Sequence, residues 1–341
     1  MGTEEIPSPF LFAAAYSPTM NRRQVLLAST LAALSPAGMA ARKPAAGEPG
    51  DEVVDLWPRG APGGDHVTAK EEVVERLPDG PMRDRFVQHV TRPSMTIFKP
   101  RAAFNGITLL IVPGGGYVRV VIDKEGVEAA DWFTKRGFAA AVLRYRLPAD
   151  GWVNGADAPV HDAMRGIRLL RAQPITGVAS SRIGVMGFSA GGHLCARLLT
   201  EPGIAYDRRD AADDSSARPD FGVLMYPVIA MTGPHAHAGS ARQLLSSGVG
   251  DADIEHYSAH RNVGAHTPPT MLVHAADDTT VPVENSLLMY EALRGAKIRS
   301  ELHVFDSGGH GFGLRGVAGR DVAAWPALVQ NWALNNAKTI P

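Results

Sequence analysis

The segment Arg182–Leu199, RIGVMGFSAGGHLCARLL, constrains the fold of this chain more than any other stretch. An apolar run ends in Gly187-Phe188-Ser189-Ala190-Gly191-Gly192 and passes at once into residues of helical period. A strand can turn into a helix that abruptly only where the flanking residues are tiny, because backbone meets backbone with no room for a Cβ. Gly187, Ala190, Gly191 and Gly192 meet that need, and the G-x-S-x-G turn would leave Ser189 at the carboxyl edge of its sheet. The run contains no Gly-Lys-Ser/Thr and lacks G-x-G-x-x-G spacing, which argues against a phosphate-binding loop.

Further apolar runs stand at Ile107–Val112, Phe138–Leu143, Ile183–Met186, Phe221–Tyr226, Met271–His274 and Glu301–Phe305. Their apolarity is continuous, as in strands covered on both faces. Segments of helical period lie between them at Glu125–Lys135, Val160–Arg171, Gly191–Leu199, Glu284–Arg294 and Val322–Asn335. Strands and helices in alternation predict an α/β fold: a mostly parallel central sheet with helices on both faces. From Val53 onward there is no second linker, repeat or membrane-length apolar run, so residues 41–341 read as a single domain. The polar, aperiodic Asp207–Asp220 is expected to be a solvent loop, and Met231–Arg261, rich in His, Gly and Ser, to overhang a pocket.

Residues 20–40 have a different layout: Arg22-Arg23, an apolar stretch from Val25 to Leu34, then small residues ending at Ala40. Ten or so apolar residues fall short of the roughly 20 that a membrane-spanning helix needs, so an export signal is predicted rather than an anchor. The arginine pair followed by Gln24, Val25 and Leu26 resembles a twin-arginine signal, which makes Met20 the expected start and residues 1–19 an upstream extension. The expected location is periplasmic or secreted. With 34 Lys+Arg against 35 Asp+Glu, the net charge of −1 gives no broad field to hold nucleic acid or an anionic membrane. The lone Cys195 can form no intramolecular disulfide and is read as a small buried hydrophobe.

A serine hydroxyl needs a general base to take its proton and an acid to orient that base. Downstream of Ser189, the run Met271–Pro282 ends an apolar strand in Asp277-Asp278, and Phe305–Phe312 carries His310 in a Gly-flanked loop. The order Ser, Asp, His, each just after a strand, fits nucleophilic catalysis with Ser189 as nucleophile and His310 as base. Period alone does not choose between Asp277 and Asp278; the other could bond the loop backbone or cap the next helix. Asp306 is a poorer candidate, because it would have to fold back on the ring from the same short loop. Pro113-Gly-Gly-Gly-Tyr117 follows the first strong strand, and its glycines let N–H groups turn toward one point. Gly115, Gly116 and Ala190 are the candidate oxyanion donors.

These motifs, with EGVEAADWF at 125–133, LRYRLP at 143–148 and HAADDTTVPVENS at 274–286, resemble the α/β-hydrolase superfamily. The resemblance covers about Asp55 to Asn335 and is to the esterase branch with acetyl-xylan-esterase-like and feruloyl-esterase-like proteins. It implies that the acid is the Asp three residues before Val281, Asp278. The hormone-sensitive-lipase-like relatives carry a His before the glycine run; here Pro113 holds that place. The activity implied is ester hydrolysis through an acyl-enzyme, with acetyl groups on plant polysaccharides such as xylan as the expected substrate and no cofactor. A serine peptidase or lipase is the alternative on the same fold, and a non-catalytic carbohydrate-binding protein the alternative from another class.

Other polar residues have quieter readings. Tyr117, His193 and Tyr226 are candidate cleft residues, with packing as the favoured competing role: the tyrosines fall just after strands, and His193 lies on the helix behind the elbow. His274, ending a strand, is expected to be structural. His235 and His237 have no carboxylate or Cys at ligand spacing, so no metal site is read.

Overall fold

The apolar runs become the strands of one sheet in the computed structural model, which describes residues 41–337 apart from 46–47, 173–179, 181 and 246–253. The predicted export signal lies outside the described residues. The strands are β1 (Ala41–Arg42), β2 (Glu52–Asp55), β3 (Glu72–Glu75), β4 (Arg85–Gln88), β5 (Ser94–Phe98), β6 (Ile107–Val112), β7 (Ala139–Arg144), β8 (Arg182–Phe188), β9 (Phe221–Met225), β10 (Thr270–Ala275) and β11 (Ser300–Phe305). The main sheet has the order β1-β2-β5-β7-β6-β8-β9-β10-β11, and β3 and β4 pair as a separate ribbon. Strands β7, β6, β8, β9, β10 and β11 run parallel, while β1, β2 and β5 add an antiparallel edge.

The helices are α1 (Glu128–Thr134), α2 (Ala158–Ala172), α3 (Ser189–Thr200), α4 (Ala238–Leu244), α5 (Glu284–Gly295) and α6 (Trp325–Ala337). Side chains along β6 alternate between two cores, which is the period-two geometry of a strand covered on both faces. Leu110 and Val112 pack with Ile167 of α2, Leu194 of α3 and Leu293 of α5. Ile107, Leu109 and Ile111 pack with Phe133 of α1 and Trp325 and Val329 of α6. This is the α/β-hydrolase fold, with helices on both faces of a mostly parallel sheet, as the alternation predicts.

Two sequence expectations change. Periodicity does not predict the antiparallel edge: β2 is EVVD and β5 is SMTIF, too short and mixed to separate from loop. The polar Asp207–Asp220 segment is no free solvent loop, because Arg165 of α2, 1% exposed, donates to Asp210 at 2.5 and 2.8 Å and to Asp213 at 2.9 Å. Arg168 reaches the Ser215 carbonyl and Arg171 the Arg218 carbonyl and Asp220. A buried guanidinium requires carboxylate partners, and those arginines dock the segment on the helix.

Candidate active site

The elbow between β8 and α3 forms as the small residues require. A Cβ on Gly191 would stand 2.3 Å from the Val112 carbonyl oxygen and 2.4 Å from that of Pro113, so only Gly lets α3 approach the end of β6. Ser189 takes φ +52°, the strained left-handed conformation that a non-glycine residue adopts only when its surroundings hold it there. Its Oγ lies 2.9 Å from His310 Nε2, and His310 Nδ1 lies 2.7 Å from Asp278 Oδ2. An ionised carboxylate only accepts, so Nδ1 carries the proton and Nε2 presents its lone pair to the Ser189 hydroxyl.

Asp278 is fully engaged. Its Oδ1 accepts the N–H groups of Thr280 and Val281, both at 2.9 Å. Burial pushes its carboxyl up, but hydrogen bonds from His274, His310 and Val281 and the charge of His310 outweigh that and hold it well below the usual carboxylate range. His274, fully buried, pairs with Ser286 Oγ at 2.7 Å and the Val281 carbonyl at 3.0 Å. Asp277 serves the backbone instead. Its Oδ1 accepts Gly308 N–H at 2.8 Å and Gly309 N–H at 2.7 Å, fixing the loop that carries His310.

The glycine run after β6 is tied down at several points. The Tyr145 hydroxyl donates to the Pro113 carbonyl at 2.8 Å, and Gly114 N–H donates to Glu125 Oε2 at 2.8 Å. Gly115 adopts φ +131°, where a Cβ would meet the Arg119 carbonyl oxygen at 2.1 Å. The N–H groups of Gly115 and Gly116 have no acceptor among the described residues. Ala190 N–H, in the first turn of α3, has no intrahelical acceptor either. Ser240 Oγ lies 4.0 Å from where a Gly116 Cβ would stand, so α4, from the predicted overhanging segment, sits beside this loop. His237 caps α4, its Nδ1 accepting Ser240 N–H at 3.1 Å.

Residues 95–293, more than half of the chain, match the BD-FAE family. The chain belongs to the BD-FAE family. It is 35% identical over 228 residues to the acetylxylan esterase of Xylanibacter ruminicola, covering 65% of this chain and 44% of that protein. It is 37% identical over 204 residues to endo-1,4-beta-xylanase B of Butyrivibrio fibrisolvens, covering 60% of this chain and 32% of that protein. The matches thus span less than half the length of these curated relatives. Among solved structures, the acetyl ester-xyloside bifunctional hydrolase of Caldicellulosiruptor lactoaceticus aligns with TM-score 0.68 at 32% identity, over 87% of this chain and 100% of that one.

In this BD-FAE chain the fold brings Ser189, Asp278 and His310 into one hydrogen-bonded line, with Gly115, Gly116 and Ala190 on the two segments that meet at Ser189. It does not place Tyr117, His193 and Tyr226 as cleft-lining side chains: they are 1%, 0% and 0% exposed. Tyr117 and Tyr226 have φ of +62° and +36°, and each ring lies between layers where its hydroxyl finds a buried partner. The Tyr117 hydroxyl donates to His193 Nδ1 at 2.8 Å, and His193 Nε2–H donates to the Tyr257 carbonyl at 2.7 Å. Burial, with the charge of Arg197, pushes His193 down to about 3, so it is neutral and anchors the glycine loop to α3. The Tyr226 hydroxyl donates to Glu125 Oε1 at 3.0 Å, and its ring meets His310 edge-on at 5.2 Å.

Glu125 is the site residue that sequence reasoning misses. Its period absorbs it into a helix, yet it lies in a π-turn, Asp123–Val127, that opens α1. That turn lets its carboxyl point inward, where burial pushes the group up against the opposing pull of Gly114 N–H, His310 and Tyr226.

Proposed function

We propose that this chain is a serine esterase that removes short acyl groups, acetyl foremost, from plant polysaccharides such as xylan. The observation that carries the reading is the line Ser189 Oγ, His310, Asp278, with both contacts within 2.9 Å. Ser189 Oγ attacks the ester carbonyl carbon while His310 Nε2 takes its proton, and Asp278 stabilises the imidazolium that forms. The carbonyl oxygen becomes an oxyanion facing the N–H groups of Gly115, Gly116 and Ala190. The intermediate collapses, the C–O bond to the alcohol breaks, and His310 returns the proton to the leaving oxygen. Water, deprotonated by the same Nε2, then attacks the acyl-enzyme and releases the acid and free Ser189.

Acetyl and xylan as the substrate pair are supported by the names of the similar esterase and bifunctional hydrolase. Export to the periplasm or beyond belongs to the same reading and is supported by Arg22-Arg23 and the apolar stretch after them. The test is acetate release from acetylated xylan and hydrolysis of p-nitrophenyl acetate, run beside Ser189→Ala. Turnover of both substrates that Ser189→Ala abolishes is the expected result. Cleavage of the small ester alone would move the natural substrate elsewhere, and turnover independent of Ser189 would overturn the mechanism.

A further inference from the structure

Glu125 is buried, charged by nature, and idle in the mechanism above. Its two oxygens reach two different loops. Oε2 accepts Gly114 N–H at 2.8 Å, and Oε1 accepts the Tyr226 hydroxyl at 3.0 Å. The same hydroxyl accepts Gly313 N–H at 3.3 Å, three residues beyond His310. A Cβ on Gly114 would lie 2.8 Å from Glu125 Oε2 and 2.8 Å from Ser189 Cβ, and one on Gly311 would lie 3.7 Å from Glu125 Oε1. The carboxyl therefore stands directly behind the meeting point of the glycine run, the nucleophile and the base loop.

That position has a specific consequence for the glycine run. Gly114 is the first of three consecutive glycines, a sequence with little conformational preference of its own. Capturing its N–H inward leaves the next two, Gly115 and Gly116, as the ones without an acceptor among the described residues. Gly126 keeps the turn seated, since a Cβ there would strike Val142 Cγ1 at 2.6 Å and Pro113 Cγ at 3.3 Å.

We propose that Glu125 is a positioning residue for ester hydrolysis, its carboxyl registering the oxyanion loop through Gly114 and coupling it to the base loop through Tyr226. The proposal rests on the esterase reading above. Its effect falls on the transition state, because the ground-state ester makes little use of donors aimed at an oxyanion. Substrate affinity is set elsewhere.

The experiment measures kcat and KM for p-nitrophenyl acetate and the affinity of an arylboronic acid, which forms a tetrahedral adduct, on wild type, Glu125→Ala, Glu125→Gln, Tyr226→Phe and Ser189→Ala. Glu125→Ala is expected to lower kcat by about 30- to 100-fold, with KM within about threefold and boronate affinity weakened in parallel. Glu125→Gln recovers most of that loss, since its amide oxygen accepts Gly114 N–H and its NH₂ donates to the Tyr226 oxygen. Tyr226→Phe keeps the ring and removes only the link, so kcat falls by about 3- to 10-fold. Should Glu125→Ala not fold, Tyr226→Phe and Glu125→Gln decide: wild-type kcat in Tyr226→Phe, or a Gln variant as impaired as a total loss, overturns the proposal. A folded Glu125→Ala with unchanged kcat, or a loss confined to KM, overturns it too. In either case Ser189-dependent turnover leaves the esterase reading standing, whereas wild-type turnover in Ser189→Ala removes that reading itself.

Discussion

Replacing Asp278 with Asn exchanges one carboxylate oxygen for an NH₂ group, and the surrounding hydrogen bonds dictate which one. Thr280 and Val281 donate their N–H groups to Oδ1 at 2.9 Å each, so an amide placed here must put its oxygen on that side. The opposite orientation would aim NH₂ at two buried backbone N–H groups, which, unlike the imidazoles of His310 and His274 that face Oδ2, cannot move their protons, at a cost of about 1–3 kcal/mol for each group left unsatisfied. The amide NH₂ therefore faces His310 Nδ1, where Oδ2 now sits at 2.7 Å. Two donors cannot share that contact, and His310 shifts its proton to Nε2. An Nε2–H cannot accept the Ser189 proton, and the imidazolium also loses its counter-charge. The expected loss in kcat is about 10⁴-fold, equivalent to about 5 kcal/mol of barrier. The assay is steady-state hydrolysis of p-nitrophenyl acetate near neutral pH, with a thermal melt to show that the nearly isosteric variant is folded. A folded Asp278→Asn enzyme within tenfold of wild type would refute the reasoning about the tautomer.

Asp277 separates from its neighbour under the same substitution. Asp277→Asn keeps an oxygen for Gly308 and Gly309 N–H and retains kcat within about threefold, whereas Asp277→Ala frees the base loop and costs about tenfold, both read in the same assay. Gly115→Ala forces a Cβ to 2.1 Å from the Arg119 carbonyl, so the oxyanion loop must move, and kcat is expected to fall by about 10²- to 10³-fold with little change in KM. Thermal stability is expected to be highest above about pH 4–5 and to decline as pH falls below the unfolded carboxylate value of about 3.9. The cause is that Asp278, Asp123, Asp210 and Asp213 are all held below the usual range in the folded state, so acid protonates the unfolded chain first. Glu125 and Glu128, both pushed up by burial, act with the opposite sign only above about pH 4, so the test is read between about pH 4 and pH 2. A melting temperature that stays flat or rises as pH falls through that window would contradict this sign.

Residues close together in sequence settled a good deal here. The tiny residues around Ser189 specify a strand-to-helix turn because sterics at a close approach act between neighbours, and the central parallel strands follow from runs of nearly continuous apolarity. The order of Ser189, Asp278 and His310 along the chain was legible for the same reason, each following its own strand. What the linear pattern could not decide was the partnering of buried polar groups. Ser189 and His310 are 121 residues apart, Tyr226 and Glu125 101, and Tyr117 and His193 76. Period puts Glu125 in a helix and tyrosines at strand ends, but only the assembled layers turn that carboxyl inward and those hydroxyls onto it and onto His193. The division of labour between Asp277 and Asp278 has the same origin: adjacent residues of one type differ only in which distant donors the fold presents to them. Arg165 shows it as well, where burial against Asp210 and Asp213 converts a polar stretch into part of the packed structure. Local sterics and period fix elements, whereas the low dielectric of a closed interior, in which every polar atom must find a partner, selects the contacts that make a site.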